Sequence, residues 1–243
     1  MIGELNRRRY QTVALRRAYT ATTALQPPEA AILERIAPDV RGVPILDLGV
    51  GGGRTTKYLL ELSTDYIGVD YASEMVEECR RRYPGVRFDV VDARDLNRFR
   101  DEQFGLVVFA FNGIDCLGHA HRMQALREVR RVLRPSGWFV FSSHNRDCPP
   151  SGFTPPPLWP TRNPVRLAAR AARWPVSLVR AAWNYRRLHP LESHEDDFEI
   201  RNDGAHDHSL LTYYVRRGDQ LAQLRATGFT RPVATYALDG HEL

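Results

Sequence analysis

Between residues 44 and 143 short apolar runs alternate with longer amphipathic stretches, and that alternation leaves few folds open. PILDLG (44–49), YIGVD (66–70), VRFDVV (86–91), FGLVVFAF (104–111) and GWFVFSS (137–143) carry the β-branched and aromatic residues of strands. Several are apolar throughout, as strands buried on both faces should be. The stretches between them read as helices. Arg54–Ser63 follows the first strand, and Ser73–Tyr83 opens on a serine with Glu74 in its first turn and stops before Pro84. His121–Leu133 sets Met123, Leu126, Val129, Val132 and Leu133 at helical spacing, with Pro135 and Gly137 to end it. Strand–helix alternation of this kind predicts a doubly wound α/β fold, a parallel sheet with helices on both faces.

The alternation breaks after residue 145. CPPSGFTPPPLWPTRNP (148–164) is too rich in proline for a strand or helix interior and reads as an extended connection. Residues 165–188 read as a basic amphipathic helix interrupted at Pro175. Alternation resumes with HSLLTYYV (208–215), a helix from Asp219 to Thr227 and a last strand, PVATYAL (232–238). The expected organisation is a single domain with a helical lead at 1–43, a ligand-binding core at 44–145, an inserted cap at 146–207 between strands 5 and 6, and closing strands at 208–243.

Composition narrows the class. Hydrophobic residues at 43% and charged residues at 26% are those of a folded globular chain. No apolar run reaches the roughly 18 residues of a membrane span, and MIGELNRRRYQTV lacks the apolar stretch of a secretory signal, so a cytoplasmic protein is expected. Cys79, Cys116 and Cys148 form no CxxC pair, which argues for reduced thiols and against a structural zinc site. The formal charge is +5, with Lys57 the only lysine. Between Asp147 and Glu192 there is no acidic residue and there are seven arginines: Arg162, Arg166, Arg170, Arg173, Arg180, Arg186 and Arg187. That field favours an anionic substrate or partner.

The segment most telling of function is ILDLGVGGGRTT (45–56), an apolar strand ending in Asp47 and followed by a glycine-rich turn into a helix. Glycines let the backbone turn and let a ligand approach, and a helix N-terminus favours an anionic group. The dinucleotide fingerprint G-x-G-x-x-G fits poorly, because Arg54 holds the place of its last glycine. The pattern is D-x-G-x-G-x-G, with Gly49, Gly51 and Gly53. A carboxylate at Asp47 suits the cationic amino acid end of S-adenosylmethionine better than a pyrophosphate. Asp70 ends the second strand, where a carboxylate accepts from ribose hydroxyls, a feature shared with NAD sites. Asp92 follows the third strand, where it would accept from an adenine amine. Each alone could be a solvated loop acid; together they fall at the ends of successive strands, where open α/β sheets bind ligands.

On these residues the segment 44–143 resembles the core of class I S-adenosylmethionine-dependent methyltransferases. The resemblance implies a Rossmann-like, mostly parallel seven-stranded sheet whose last strand runs antiparallel. It implies that Asp47, Gly49, Gly51 and Gly53 hold the methionine moiety, that Asp70 holds the ribose and that Tyr71 flanks the adenine. Asp92 and Ala93 match the Asp-Ala pair after the third strand. VLRPSGWFVFSSHN resembles the family's late helix–turn–strand motif, and TYYVRRGDQLAQLRATGFTRPVATYALDG its closing strand–helix–strand.

Methyl transfer is an in-line displacement on an activated cofactor, so the protein aligns the nucleophile and excludes water; a base is needed only for a protonated acceptor. Asn112 after the fourth strand either fixes cofactor or acceptor, or is a turn residue before Gly113. His144, past the fifth strand, is the first candidate for a general base, against the plainer reading of a loop histidine. His208 is the alternative. His189, His194, His206 and His208 match no common zinc spacing, and no metal is expected. Trp159, Trp174, Trp183 and Tyr185 either wall an acceptor pocket or pack the cap on the core. Tyr10 and Tyr19, in the helical lead, are candidate cofactor contacts.

The expectation is a methyltransferase acting on a small molecule, anionic if the arginines bind it, at oxygen first and nitrogen next. No nucleic acid partner is expected, since no RNA-binding module is appended. The competing readings are an RNA or protein methyltransferase, a non-catalytic S-adenosylmethionine-binding domain, and an NAD-dependent oxidoreductase.

Overall fold

The structure, a computed structural model, describes residues 2–10, 12, 23–148, 152–158, 161, 163–204 and 206–243. Tyr19, Trp159 and Arg162, together with the Tyr10 side chain, lie outside the described residues.

Five strands form the central sheet: β1 (Ile45–Leu48), β2 (Tyr66–Asp70), β3 (Arg87–Val90), β4 (Phe104–Phe109) and β5 (Leu133–Phe141). They pair in parallel throughout, in the order β3-β2-β1-β4-β5. Every residue of β1, β2 and β4 is buried, which is why these strands read as unbroken apolar runs. Their side chains alternate between two cores. Leu46, Leu48, Val107 and Phe109 pack with α5 (His119–Val132) and with Leu224 of α7 (Arg217–Ala226). Ile45, Leu106 and Val108 pack on the opposite face with α2 (Pro27–Val40), α3 (Thr56–Leu62) and α4 (Ser73–Arg82). This is the doubly wound Rossmann-like α/β architecture that the alternation predicts.

The strand count differs. HSLLTYYV yields β9 (Thr212–Val215), which joins a second, four-stranded sheet in the order β6-β9-β8-β7. Its other strands are β6 (His144–Asn145), β7 (Ser193–His194) and β8 (Glu199–Arg201). The chain leaves the central sheet at Phe141 and enters the second one at His144, where β6 pairs in parallel with β9. The expected antiparallel last strand at 232–238 does not form, and only an isolated bridge joins Tyr236 to Glu242. Pro232 has no N–H to give. The segment instead folds on itself, with Ala237 N donating to His241 O at 2.8 Å and Leu243 N to Thr235 O at 2.7 Å.

The insertion carries α6 (Pro164–Leu188), which runs through Pro175 without the expected interruption. Proline removes one helical hydrogen bond to the residue four before it, here Ala171, and Ala171 is exposed, so the freed carbonyl is open to solvent. Asn163 caps the helix, its side chain accepting from Val165 N and Arg166 N. At the other end of the chain α1 (Ile2–Tyr10) is fastened by the buried Asn6. Its Nδ2 donates to Cys116 O at 3.0 Å and Leu211 O at 2.8 Å, while its Oδ1 accepts from Leu211 N at 3.2 Å. Among the described residues no helix is long and apolar enough to cross a membrane.

Candidate active site

A cavity of about 320 Å³ opens at the carboxyl ends of β1, β2, β3 and β4, where the strand order reverses between β1 and β4. Open α/β sheets bind ligands at such a switch point, and roughly 300–1,000 Å³ is usual for a small-molecule site. Of the residues singled out by sequence, Gly49, Gly51, Asp70, Tyr71, Asp92 and Ala93 line it.

The glycine loop is held so that backbone alone faces the cavity. Gly49 adopts φ +62°, and a Cβ there would stand 2.8 Å from the Phe109 ring. Gly51 adopts φ +53°, and its Cβ would point into open space, nothing lying nearer than Gly49 O at 3.9 Å. Asp70 fixes this loop: its Oδ2 accepts from Gly51 N at 3.0 Å and its Oδ1 from Ala72 N at 2.9 Å. The Tyr71 backbone N–H bonds the carboxylate as well, which leaves it capacity for one further donor. Burial pushes the Asp70 carboxyl up to about 6, against the backbone hydrogen bonds that lower it.

Three residues fall elsewhere than the sequence pattern implies. Asp47 does not line the cavity: it is 1% exposed, and its Oδ2 accepts from Thr55 Oγ1 at 2.7 Å and Tyr66 OH at 2.9 Å. It anchors the loop from behind. Burial, partly offset by those hydrogen bonds, pushes its carboxyl up to about 6. Gly53 turns toward the Tyr83 ring, and Gly52 takes the place on the cavity wall. Asn112, at φ 58°, stands behind Phe111 and Gly113, which do line the cavity.

Asp92 is on the wall but already engaged. Arg94 clamps it, Nε to Oδ1 at 2.9 Å and Nη2 to Oδ2 at 2.6 Å, and Arg94 N also reaches Oδ1 at 2.9 Å. Burial works to raise the Asp92 carboxyl, yet the Arg94 bonds and charge hold it below the usual carboxylate range. Oδ1 is filled, and one lone pair on Oδ2 is left for a further donor.

The two candidate bases part company. His208 is fully buried, with its ring against Phe153 and Tyr185 and its Nε2 at Thr154, so it has no access to an acceptor. His144 is partly exposed, at 32% of its side chain, but does not line the cavity; its Nε2 stands 3.2 Å from Nδ2 of Asn112, which also lies behind the wall. Its Nδ1 and its backbone N both donate to Asp115 Oδ2 at 2.7 Å. Burial alone would lower the His144 imidazole, but the bond and charge of Asp115, with Asp203 beyond, raise it above its ordinary value despite Arg122. Asp115 in turn accepts from Ser143 Oγ at 2.8 Å and from the fully buried Arg122.

Sequence reasoning did not find Arg7, Arg54 and His206 on the cavity wall, or Asp115 and Arg122 as the support of His144. Arg54, which displaces the last glycine of the dinucleotide pattern, is 8% exposed and forms a double hydrogen bond to Glu29 at the start of α2. Among the described residues no group of three His, Cys, Asp or Glu could hold a metal ion.

Residues 45–137 match the family model for a methyltransferase domain. A fatty-acid O-methyltransferase of Mycolicibacterium smegmatis is 35% identical over 109 residues, 43% of this chain and 38% of that protein. A phthiotriol/phenolphthiotriol dimycocerosates methyltransferase of Mycobacterium tuberculosis is 34% identical over 108 residues, 43% of this chain and 38% of that one. The match therefore spans less than half the length of these curated relatives. A glycopeptide N-methyltransferase solved with S-adenosylhomocysteine superposes with a TM-score of 0.56 at 18% identity, covering 89% of this chain and 85% of that one. The Burkholderia thailandensis 1,6-didemethyltoxoflavin-N1-methyltransferase gives 0.54 at 16% identity, over 86% and 70%. At these identities the likeness to solved structures is one of fold. Residues 45–137 thus resemble a methyltransferase domain, and the chain shares the fold of the S-adenosylhomocysteine-bound methyltransferases it superposes on.

Proposed function

We propose that the protein transfers a methyl group from S-adenosylmethionine to a small or lipid-like acceptor, at oxygen first and nitrogen next. The cofactor fits the cavity on one observation above all: Gly51 presents bare backbone and open space where any side chain would intrude, beside an Asp70 carboxylate with acceptor capacity left. The Gly49–Gly52 backbone would hold the methionine moiety, Asp70 the ribose, and Tyr71, Met75 and Ala93 would wall the adenine. When bound, the cofactor supplies an electrophilic methyl group on a sulfonium.

The chain's own share is alignment and proton removal. His144, with its Nδ1 proton committed to Asp115, accepts from Asn112 Nδ2 at Nε2, and would take the proton of an alcohol or ammonium acceptor that displaces that amide. Oxygen is favoured because a neutral hydroxyl gains most from such a base, and because the M. smegmatis relative is named as a fatty-acid O-methyltransferase.

Calorimetric titration with S-adenosylhomocysteine, with NAD as control, tests the cofactor half. Binding of the former alone supports it, and binding of NAD alone would return the site to the oxidoreductase reading. Methyl transfer from labelled S-adenosylmethionine to long-chain fatty acids, phenols and amines tests the acceptor half; cofactor binding without transfer to any would favour a non-catalytic domain.

A further inference from the structure

The outer face of α6 is apolar and faces no part of the described chain. Val165, Val176, Val179 and Trp183 are 75%, 61%, 70% and 59% exposed. They stand at i, i+11, i+14 and i+18, which superimposes them on one stripe of a 3.6-residue helix. The buried residues of the same helix, Ala181, Asn184 and Leu188, fall on the opposite side and pack on the protein. From Pro164 to Arg173 every residue is exposed, so the first turns of the helix stand clear of the body. A 25-residue helix is about 37 Å long, and no acidic residue occurs anywhere along it. Arg173, Arg180 and Arg187, seven residues apart, border the stripe on one side, and Arg186 borders it on the other.

We propose that α6 is an interfacial helix that seats the protein on an anionic lipid bilayer. Valine and tryptophan at the outermost line would enter the boundary between headgroups and acyl chains, while the flanking arginines bind headgroup phosphates. Guanidinium groups pair bidentately with phosphate, and each cation near an anionic surface adds to the attraction. The arrangement decides among occupants. A nucleic acid would be met by arginines at the outermost line, but that line is apolar. A second copy of this helix would bring arginine rows together with no acid on either side. An anionic amphipathic surface answers both features at once. The docking is independent of the methyltransferase reading, but it has a consequence for the site: Asn184 Nδ2 donates to Asp207 O at 2.8 Å, next to His206 on the cavity wall. The seated helix would hold that wall toward the membrane.

The test is flotation of the full chain with vesicles of phosphatidylcholine, and of phosphatidylcholine mixed with phosphatidylglycerol. The protein is expected to float with the anionic vesicles only, less so as salt rises. Val176→Asp with Val179→Asp, and separately Arg173→Ala with Arg180→Ala, should each weaken partition by more than about tenfold. Both variants should keep the wild-type circular dichroism and S-adenosylhomocysteine affinity. Tryptophan emission of the wild type should shift to the blue on anionic vesicles, and Trp183→Phe should remove the shift. Failure of the wild type to float overturns the proposal, as does flotation undiminished in the arginine variant. A monomer–dimer equilibrium abolished by the valine substitutions overturns it in favour of a second copy, and salt-sensitive RNA binding by a protein that ignores vesicles overturns it in favour of nucleic acid.

Discussion

Asp115 Oδ2 accepts from both the backbone N–H and the Nδ1–H of His144, each at 2.7 Å. Two bonds from one residue to one oxygen fix both the position of the imidazole and its tautomer. Asp115 Oδ1 is taken by Ser143 and by Arg122, so the carboxylate is held from four directions. The histidine stands where the chain passes from the central sheet to the second one. This geometry fixes the imidazole in place, as the proposed general base requires.

If His144 removes the acceptor proton, His144→Gln should lower kcat by about 10²- to 10⁴-fold with an oxygen acceptor and leave S-adenosylhomocysteine affinity unchanged. In the wild type kcat should fall as pH drops through the His144 value, which lies above 6.5 because Asp115 outweighs burial. The same raised value contributes stability that is fully present below about 6.5 and is lost as pH rises through the folded value. A kcat–pH profile with its acidic limb intact in His144→Gln would remove the residue from the mechanism.

Asp115→Asn tests the support. It leaves the fully buried Arg122 without its carboxylate, and breaking a buried ion pair costs about 3–5 kcal/mol. Urea denaturation should show a loss of that order, and whatever activity survives should have its acidic limb at lower pH. A loss below about 1 kcal/mol would mean that Gln220, Gln223 and Ser143, which also accept from Arg122, satisfy it alone.

Asp47 predicts a pH effect of opposite origin. Its carboxyl is pushed up to about 6 by burial, so the fold favours the neutral acid. The stability this gives is present below about 4 and is lost as pH rises through about 6. Asp47→Asn keeps an acceptor for Thr55 and Tyr66 without the charge. Relative to wild type, the apo variant should gain stability between pH 4 and 7, by at most about 3 kcal/mol. Thermal midpoints across that range measure it; a difference independent of pH would show that Asp47 is not strained by burial.

The contrast between Asp47 and Asp70 shows where sequence reading stops. Alternation and the glycine turn locate both at strand ends, because strand burial and turn chemistry are local properties. Which carboxylate faces the cavity depends on Thr55 and Tyr66, the second of them 19 residues away, closing over Asp47. Arg7 and His206 reach the same wall from opposite ends of the chain, a juxtaposition that no periodicity encodes. The sixth expected strand kept its position in the sequence but changed sheets, because β6 offered it a partner at His144–Asn145. The antiparallel last strand was an implication of family likeness, and the backbone of 232–238 bonds instead to the residues that follow it.

Phe109 is wedged between two glycines. A Cβ on Gly113 would stand 2.5 Å from its ring and one on Gly49 would stand 2.8 Å away. Gly113→Ala should therefore cost about 1–3 kcal/mol by overpacking and weaken S-adenosylhomocysteine binding, since Phe109 lines the cavity. Phe109→Leu in the same chain should return part of both losses. Gly113→Ala with wild-type stability and affinity would mean that the ring moves freely.

Asn6 carries the last prediction, because three hydrogen bonds from one buried side chain tie α1 to the turn after β4 and to the start of β9. Asn6→Ala strands the carbonyls of Cys116 and Leu211 and the N–H of Leu211, a loss of about 1–3 kcal/mol for each group left unsatisfied, less where water enters. The larger effect should fall on ligand binding. Gly3 and Arg7, on the same helix, form the cavity wall opposite the glycine loop, so release of α1 opens that wall. S-adenosylhomocysteine affinity should drop by about tenfold or more, the free energy of about one such hydrogen bond. Asn6→Asp keeps the acceptor for Leu211 N but loses both donors, and should fall between wild type and alanine. Calorimetry on the three proteins orders them; full affinity in Asn6→Ala would show that the helix contributes nothing to the bound state.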